Sequence, residues 1–348
     1  MRSSCAYVRR PAVGEICAGG RLILTARALF AGLLAAALWL PTPAMAVNRE
    51  LRVADTHPAD YPTVQALNHM GRLLTERSQG RLGLKVLHSR LMGEEAETIE
   101  HTRIGALDMA RVNLAPLNGL VPETIVPSLP FLFRSAEHLH NFLDGPVGAE
   151  LAKALERRGF IALAYYDSGA RSFYNARHAI RRPADLKGLR IRVQQSPVAE
   201  AMVQALGATP APLPYGQVAV GLKTGLIDGA ENNWPSYQDA RHFEAAQFYS
   251  LTEHSMAPDV LLMSKKVWDG LTPADQDLIR EAARESVGTM RTLWAAREQA
   301  ARDSMTAAGI NVNTVDKAAF AEAMRPLYER FTADPRLKDL LRRIQAVP

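Results

Sequence analysis

The stretch DLKGLRIRVQQSPVAEAMVQALGATPAPLPYGQVAVGLKTGLIDGAEN, residues 185–232, decides the fold. Leu189, Ile191 and Val193 alternate with Arg190 and Arg192, the period of a strand whose two faces differ. Pro197 to Leu206 then reads as a helix with proline at its start, Thr209 to Leu213 as a strand, Val218 to Lys223 as a short helix and Leu226 to Glu231 as a third strand. Strands separated by helical crossovers predict parallel pairing, so the fold class is α/β.

The same order stands earlier in the chain. Leu51 and Val53 read as a strand, Val64, Leu67, Met70 and Leu74 as a helix stopped by Gly80, and Leu82, Leu84 and Val86 as a second strand. Gly93-Glu94-Glu95 opens a helix with Ala96, Ile99 and Ile104 inward, ended by Gly105, and Leu107 to Val112 is a third strand. GALDMA at 105–110 and GLIDGA at 225–230 share Gly, Asp and Ala. Each glycine can release a helix into a strand, and Asp108 and Asp228 read as turn and capping residues.

Between the two units, Pro127 and Leu129-Pro130-Phe131-Leu132-Phe133 interrupt any period, and Ile161 to Tyr166 reads as a strand that carries the chain across. Thr272-Pro273-Ala274-Asp275 is a helix start. The stripe Leu278, Ala282, Met290, Leu293, Ala296, Ala300, Ala307 runs on to Gly309. A helix of about 55 Å results, long enough to span two domains.

The 348-residue chain is 47% hydrophobic and 22% charged, which supports two domains with cores of their own and excludes disordered and fibrous classes. Net charge is +5, but residues 1–46 hold Arg2, Arg9, Arg10, Arg21 and Arg27 against Glu15, leaving +1 on residues 47–348. That remainder lacks the positive field that nonspecific nucleic-acid binding needs. Nucleic acid is not an expected partner.

After those arginines come ALFAGLLAAALWL, Ala28 to Leu40, then Pro41 and the tripeptide Ala44-Met45-Ala46. This is the pattern of a signal peptide, 1–46, removed on export. At about 20 Å the apolar run falls short of the ~30 Å bilayer core, so the mature chain from Val47 is expected to be soluble and periplasmic. Cys5 and Cys17 leave with the leader. Disulfides, thiolate metal sites and a lipid anchor on cysteine are thereby excluded.

Catalytic and nucleotide signatures are missing: there is no G-x-S-x-G, G-x-G-x-x-G, G-x-x-x-x-G-K or H-E-x-x-H. His138 and His140 stand two apart, about 200° around a helix, and cannot share a metal as i, i+4 neighbours do. No metal or cofactor is expected. Arg192 lies nearer the carboxyl end of its strand than Arg190, where open parallel sheets bind ligands and where a guanidinium can meet a carboxylate with two bonds. On spacing alone, a solvated arginine is the better reading of Arg190 and an equal one for Arg192. Arg171, after Tyr165-Tyr166-Asp167-Ser168-Gly169-Ala170, is as ambiguous.

Together these segments resemble the extracytoplasmic solute receptors of tripartite ATP-independent periplasmic (TRAP) transporters. The likeness runs from Leu51 to the last helices and is most specific in Asp185 to Val193, Gly207-Ala208-Thr209-Pro210 and Val220 to Asn232. It implies a two-lobed periplasmic-binding-protein fold, type II-like, with the ligand cleft between lobes and one long helix spanning both. Lobe I would hold 47–168 plus about 256–297, and lobe II 169–255 plus about 298–348. The resemblance implies that Arg192 pairs with the ligand carboxylate, Asn232 contacts the ligand, Arg171 is a second cleft arginine and Tyr215 packs on the ligand. Glu95 would reach ligand hydroxyls or amines, although Leu91-Met92-Gly93, where many members have Gln-Leu-Gly, leaves Glu94 and Glu95 as alternatives. Asn233, Trp234, Gln195 and His57 complete the candidate set.

The implied activity is capture of an organic anion by a monomer and its delivery to small and large membrane subunits, without catalysis. Amides at Asn232 and Asn233 beside Trp234 and Tyr215 suit a pyranose ring, which stacks on aromatics and bonds through its hydroxyls. A carboxylate at Glu95 accepts from hydroxyls and repels a compact diacid. A hexuronate such as glucuronate or galacturonate is therefore expected over a C4 dicarboxylate. Packing of the strand end is an equal reading of Trp234. An exported enzyme acting on sugar acids, with Glu95 as base, and a receptor presenting its ligand to a membrane sensor are the alternative functions.

Overall fold

The computed structural model describes residues 49–348; the segment read as a signal peptide, with Cys5 and Cys17, lies outside the described residues. The first unit is β1 (Arg49–Ala54), α1 (Pro62–Arg77), β2 (Leu82–Leu87), α2 (Glu95–Ile104) and β3 (Met109–Asn113). β1 pairs in parallel with both β2 and β3. α3 (Ala136–Asp144), α4 (Pro146–Glu156) and β4 (Phe160–Tyr166) follow, and β5 (Arg171–Asn175) enters a second sheet. There the unit repeats as β6 (Arg190–Val193), α5 (Pro197–Ala205), β7 (Thr209–Pro212), α6 (Val218–Lys223) and β8 (Gly229–Asn232), with β6 parallel to β7 and β8. After α7 (Trp234–Asp239) and β9 (Phe248–Ser255), β10 (Asp259–Ser264) returns to the first sheet. The chain ends through α8 (Lys265–Asp269), α9 (Pro273–Ala307), β11 (Asn311–Asn313), α10 (Lys317–Ala323), α11 (Arg325–Phe331) and α12 (Pro335–Gln345). Strand orders are β2-β1-β3-β10-β4 and β11-β9-β5-β8-β6-β7.

Each parallel unit is thus extended by antiparallel strands, β10 beside β3 and β5 beside β8. All six residues of β10 are buried, so it shows no alternation, the property by which half-buried strands are read.

The duplicated hexapeptide has one structural job in both units. Gly105 (φ 83°) and Gly225 (φ 72°) turn the chain in the left-handed region. Asp108 accepts from the backbone N–H (2.9 Å) and Nε (3.3 Å) of Arg52 on β1. Asp228 accepts from the same two groups of Arg190 on β6, at 2.9 and 3.0 Å. In each case the arginine Nη2 also donates to a backbone carbonyl of the turn, Ala106 or Gly225. Asp108 and Asp228 are turn residues, and Arg190, read as solvated, is committed to this pin.

Two buried faces differ from their expected composition. In α2 Ile99 is buried, but Ile104 is exposed and Thr98 and Thr102 face inward, their hydroxyls bonded back to Glu95 O and Thr98 O. α9 starts as expected, with Thr272 Oγ accepting from Asp275 N at 3.2 Å. Its buried line, however, runs through Ile279, Ala283, Ser286, Trp294, Ala301 and Met305 as well as Ala282 and Met290. The expected Leu278, Leu293 and Ala300 sit one position away, because Trp294 and the small Ser286 take the inward places. Ile279 to Trp294 pack with Val53, Tyr166 and Leu261 of the first sheet, while Ala301 and Met305 pack with Tyr174 and Tyr249 of the second. One helix is buried in both cores.

The terminal segment 298–348 does not act as one block. Phe320 and Leu327 join the second sheet's Ile191 and Val193. Leu337, Leu340 and Ile344 of α12 return to the first sheet's core with Ala54, Val112 and Val260. His138 fastens α12 there through Nε2 to Ile344 O at 2.9 Å, whereas His140 meets Asp167 Oδ1 at 2.7 Å, so the two histidines serve separate partners. Among the described residues, no helix is long and apolar enough to cross a membrane.

Two glycines test this packing in opposite directions. A Cβ on Gly229 would lie 2.5 Å from Tyr174 O and 2.7 Å from Asn175 Cβ, while Gly288 in α9 has nothing within 4 Å. Gly229→Ala should cost about 1–3 kcal/mol by overpacking. Gly288→Ala should add about 0.5–1 kcal/mol by helix propensity. Denaturant midpoints of the two variants check both signs.

Candidate functional site

The carboxyl ends of β1, β3, β6 and β8 converge on one cavity, with about 390 Å³ of empty space including its mouth, as the geometry of open parallel ends requires. Strand alternation on β6 aims Arg192 and Gln194 the same way. The end of β8 supplies Asn232, the cap of α7 supplies Asn233, the turn after β1 supplies Thr56 and His57, and the first residue of α2 supplies Glu95. Arg171, Arg192, Asn232, Asn233, Glu95, Tyr215 and His57 all line this space. Gln195 and Trp234 do not. Gln195 is exposed, and its neighbour Gln194 lines the cavity instead. Trp234 is buried against Tyr249, rings stacked at 3.7 Å and 17°, so its indole packs the second core.

The two candidate arginines differ sharply. Arg171 donates Nε to Glu231 Oε2 (2.5 Å) and Nη2 to Glu231 Oε1 and Glu231 O (both 2.8 Å). Its Nη1 donates to Asn232 Oδ1 at 2.8 Å. Burial disfavours its charge, but the Glu231 carboxylate outweighs burial and raises its pKa. Arg171 lines the cavity as a neutralised cation that positions its neighbours. Arg192 makes one bond, Nε to Leu213 O at 2.8 Å. It is 4% exposed, and burial lowers its pKa, with the neighbouring Arg171 adding to the effect against the pull of Glu231. Its two terminal nitrogens face the cavity without a protein carboxylate. A buried guanidinium in this state favours an incoming anion.

Asn232 is oriented by the same network. Its Oδ1 accepts from Arg171 Nη1 and from Asn233 N (2.9 Å), which leaves Nδ2 to donate into the cavity. Asn233 ties the cap of α7 to the link between β4 and β5, with Nδ2 donating to Ser168 O at 2.8 Å.

The opposite wall is acidic and centres on Arg111, which the sequence reading passed over. Arg111 is 1% exposed. Its Nε donates to Asp55 Oδ2 (3.0 Å), Nη1 to Glu95 Oε1 (3.3 Å) and Asp259 Oδ2 (3.2 Å), and Nη2 to Asp55 Oδ1 and Thr56 Oγ1. Burial alone would raise the Asp55 pKa, but Arg111 and His57 hold it well below the usual carboxylate range. Burial, reinforced by Arg111, lowers the pKa of His57 and keeps its ring neutral. Burial raises Glu95 to about 7 against the opposing pull of Arg111, with Asp259 adding to the rise. The signal for Arg111 was present: an arginine flanked by Met109, Ala110 and Val112 in a short strand, where a charge needs buried partners.

Aromatic rings and a bridged mouth complete the site. His57 stacks on Tyr61 at 3.8 Å, and Tyr215 stands 5.4 Å from His57. Tyr61 Oη meets Ser236 Oγ at 3.0 Å, and Gly216 N donates to Glu94 Oε1 at 3.1 Å, so residues of the two sheets touch across the opening. This separates the two glutamates: Glu95 faces the cavity, and Glu94 caps α2 and spans the mouth. A larger surface hollow, about 1280 Å³ between α4 and α12, is lined by exposed charges such as the Arg343–Glu150 pair and presents no buried unpaired cation. Among the described residues, no cluster of His, Cys, Asp and Glu is suited to a metal ion.

Residues 53–334 match the family model of the bacterial extracellular solute-binding proteins, family 7. The chain belongs to this family of substrate-binding proteins, and its solved relatives are TRAP periplasmic receptors with the two-lobed periplasmic-binding fold. One, from Bradyrhizobium sp. BTAi1 in complex with α/β-D-galacturonate, is 56% identical with a TM-score of 0.84, covering 85% of this chain and 99% of its own. Another, from Chromohalobacter salexigens with bound D-glucuronate, is 39% identical with a TM-score of 0.84, covering 86% and 100%. The 2,3-diketo-L-gulonate-binding periplasmic protein of Escherichia coli is 37% identical over 278 residues, 79% of this chain and 85% of that protein.

Glu95 gives the site a pH signature. A carboxyl whose pKa rises on folding, here from 4.5 to about 7, keeps its proton longer in the folded state. Its stabilising contribution is full below pH 4.5 and is lost as pH rises to about 7. Over that window the effect reaches at most about 3 kcal/mol. Glu95→Gln should therefore be more stable than the parent at pH 8 and lose that advantage by pH 5, as thermal unfolding of the ligand-free protein at both pH values will show.

Proposed function

We propose that this protein is a periplasmic receptor that captures a hexuronate and delivers it to the membrane subunits of a TRAP transporter, without a reaction of its own. The observation that carries the reading is Arg192, buried with its terminal nitrogens unpaired in the cavity. The ligand carboxylate meets that fork, and Asn232 Nδ2 donates beside it. Ring hydroxyls point to Glu95 and the acidic wall, and the sugar ring lies against Tyr215 and His57. The bound galacturonate and glucuronate of the related structures have this polarity, acid at one end and alcohol along the rest. The family is one of substrate-binding proteins, and His57 is engaged by Asp55 and Arg111 in the acidic wall. The lobes in this reading are 47–168 with about 256–297, and 169–255 with about 298–348, with α12 reaching back to pack on the core of the first.

Galacturonate or glucuronate at millimolar concentration should raise the unfolding midpoint, with succinate and malate doing less. A preference for either dicarboxylate over every uronate, or no shift with any carboxylate, overturns the ligand reading. Arg192→Lys keeps the charge but loses the planar fork, and should weaken uronate binding about 10- to 100-fold, or about 1.4–3 kcal/mol. Titration calorimetry with unchanged affinity would remove Arg192 from the site.

The leader completes the proposal. Export with removal of residues 1–46 predicts that the protein isolated from the periplasm begins at Val47. N-terminal sequencing checks the position, and a retained Met1 or a cytoplasmic pool would count against it.

A further inference from the structure

Asp259 belongs to no expected set of site residues, yet it lines the cavity. It lies on β10 opposite Asn113 of β3, with Oδ1 accepting from Asn113 Nδ2 at 3.0 Å and Oδ2 from Arg111 Nη1 at 3.2 Å. Glu95 Oε1 takes a bond from that same Nη1 at 3.3 Å and another from Asn113 N at 2.9 Å. One guanidinium nitrogen therefore holds two carboxylates side by side, and Asp55 occupies the other edge of Arg111. All the donors of Arg111 are committed to Asp55, Thr56, His57, Glu95 and Asp259, so it has none left for a ligand anion. This wall carries three carboxylates against one cation. The free guanidinium of the cavity, Arg192, stands on the other sheet.

The two walls ask for different chemistry. A hydroxyl can donate to the remaining lone pairs of Asp259 and Glu95, and two neighbouring ring hydroxyls can engage the two acids together. A second ligand carboxylate in the same place can only accept, and above pH 7, where Glu95 is ionised, it would face three carboxylates balanced by one cation. We infer that Asp259, aligned with Glu95 by Arg111, is the specificity residue that limits this receptor to sugar acids with one carboxylate. It rejects aldarates, the acids of the same carbon chain oxidised at both ends. This rests on the hexuronate reading and deepens it.

Titration calorimetry at pH 8 with galacturonate and galactarate, on the parent protein, Asp259→Asn and Glu95→Gln, tests the assignment. The parent should favour galacturonate by at least 100-fold. Asp259→Asn keeps the shape and removes one charge, so the ratio should narrow by at least tenfold through tighter galactarate binding. Circular dichroism reports whether Asp259→Asn folds. If it does not, Glu95→Gln, on the partner carboxylate, should produce the same narrowing, and an unchanged ratio there overturns the inference. A folded Asp259→Asn that binds galacturonate with an unchanged ratio also overturns it, as does a parent that binds galactarate within tenfold of galacturonate. A parent that binds neither galacturonate nor glucuronate overturns the hexuronate reading itself, a result distinct from the loss of discrimination alone.

Discussion

An arginine held out of water without a carboxylate is the constraint around which the molecule is organised. Arg192 is buried on the end of β6, and its Nε bond to Leu213 O fixes the guanidinium while leaving its outer edge bare. Such a charge is tolerated only where nearby groups balance it or an anion arrives. The protein arranges balance at one remove. Glu231 neutralises Arg171, and Glu231 is also the opposite charge that acts on Arg192 from within the same wall. The net positive edge remains in the cavity, the place where a ligand carboxylate has most to gain.

The architecture keeps that edge shielded. Parallel units aim strand ends at each other from two sheets, and the antiparallel strands β5 and β10 sit directly beside them. β10 brings Asp259 to the first wall, and β5 brings Arg171 to the second. These strands therefore set the polarity of the two walls as well as completing the sheets. The Arg52–Asp108 and Arg190–Asp228 pins lie at the opposite ends of the units, fixing the register of β1 with β3 and of β6 with β8 without intruding on the cavity. Their exposed arginines make them weak individually, and their value is geometric.

What could be read in the sequence followed the physics of each element. The βαβαβ units were legible because their helices and strands have different periods and glycines mark the turns at 105 and 225. β10 was not, because DVLLMS is apolar on both faces and a buried strand has no period to detect. Arg192 could be placed by strand alternation, and the same alternation pointed to Gln194 rather than Gln195. Trp234 failed as a site residue because side-chain type alone does not distinguish an aromatic wall from a core, and Tyr249 claims its face. Arg111 escaped because its meaning lies in partners 56 and 148 positions away, Asp55 and Asp259, which only the fold brings together.

The long helix α9 has a mechanical consequence. Its residues up to Trp294 are set in one core and those from Ala301 in the other, and its hydrogen-bonded ladder is continuous from Pro273 to Ala307. A continuous helix has no joint of its own. Any rotation that parts the sheets has to be absorbed by the short links after Tyr166, after Ser255 and between α11 and α12, and by flexing of one or two turns of α9. Gly169, in the left-handed region at φ 62°, lies so close to Trp294 that an added Cβ would come within 2.7 Å of the indole. The link and the helix thus bear on each other where the chain crosses between the sheets, and a helix clamped in two cores resists any motion that would part them.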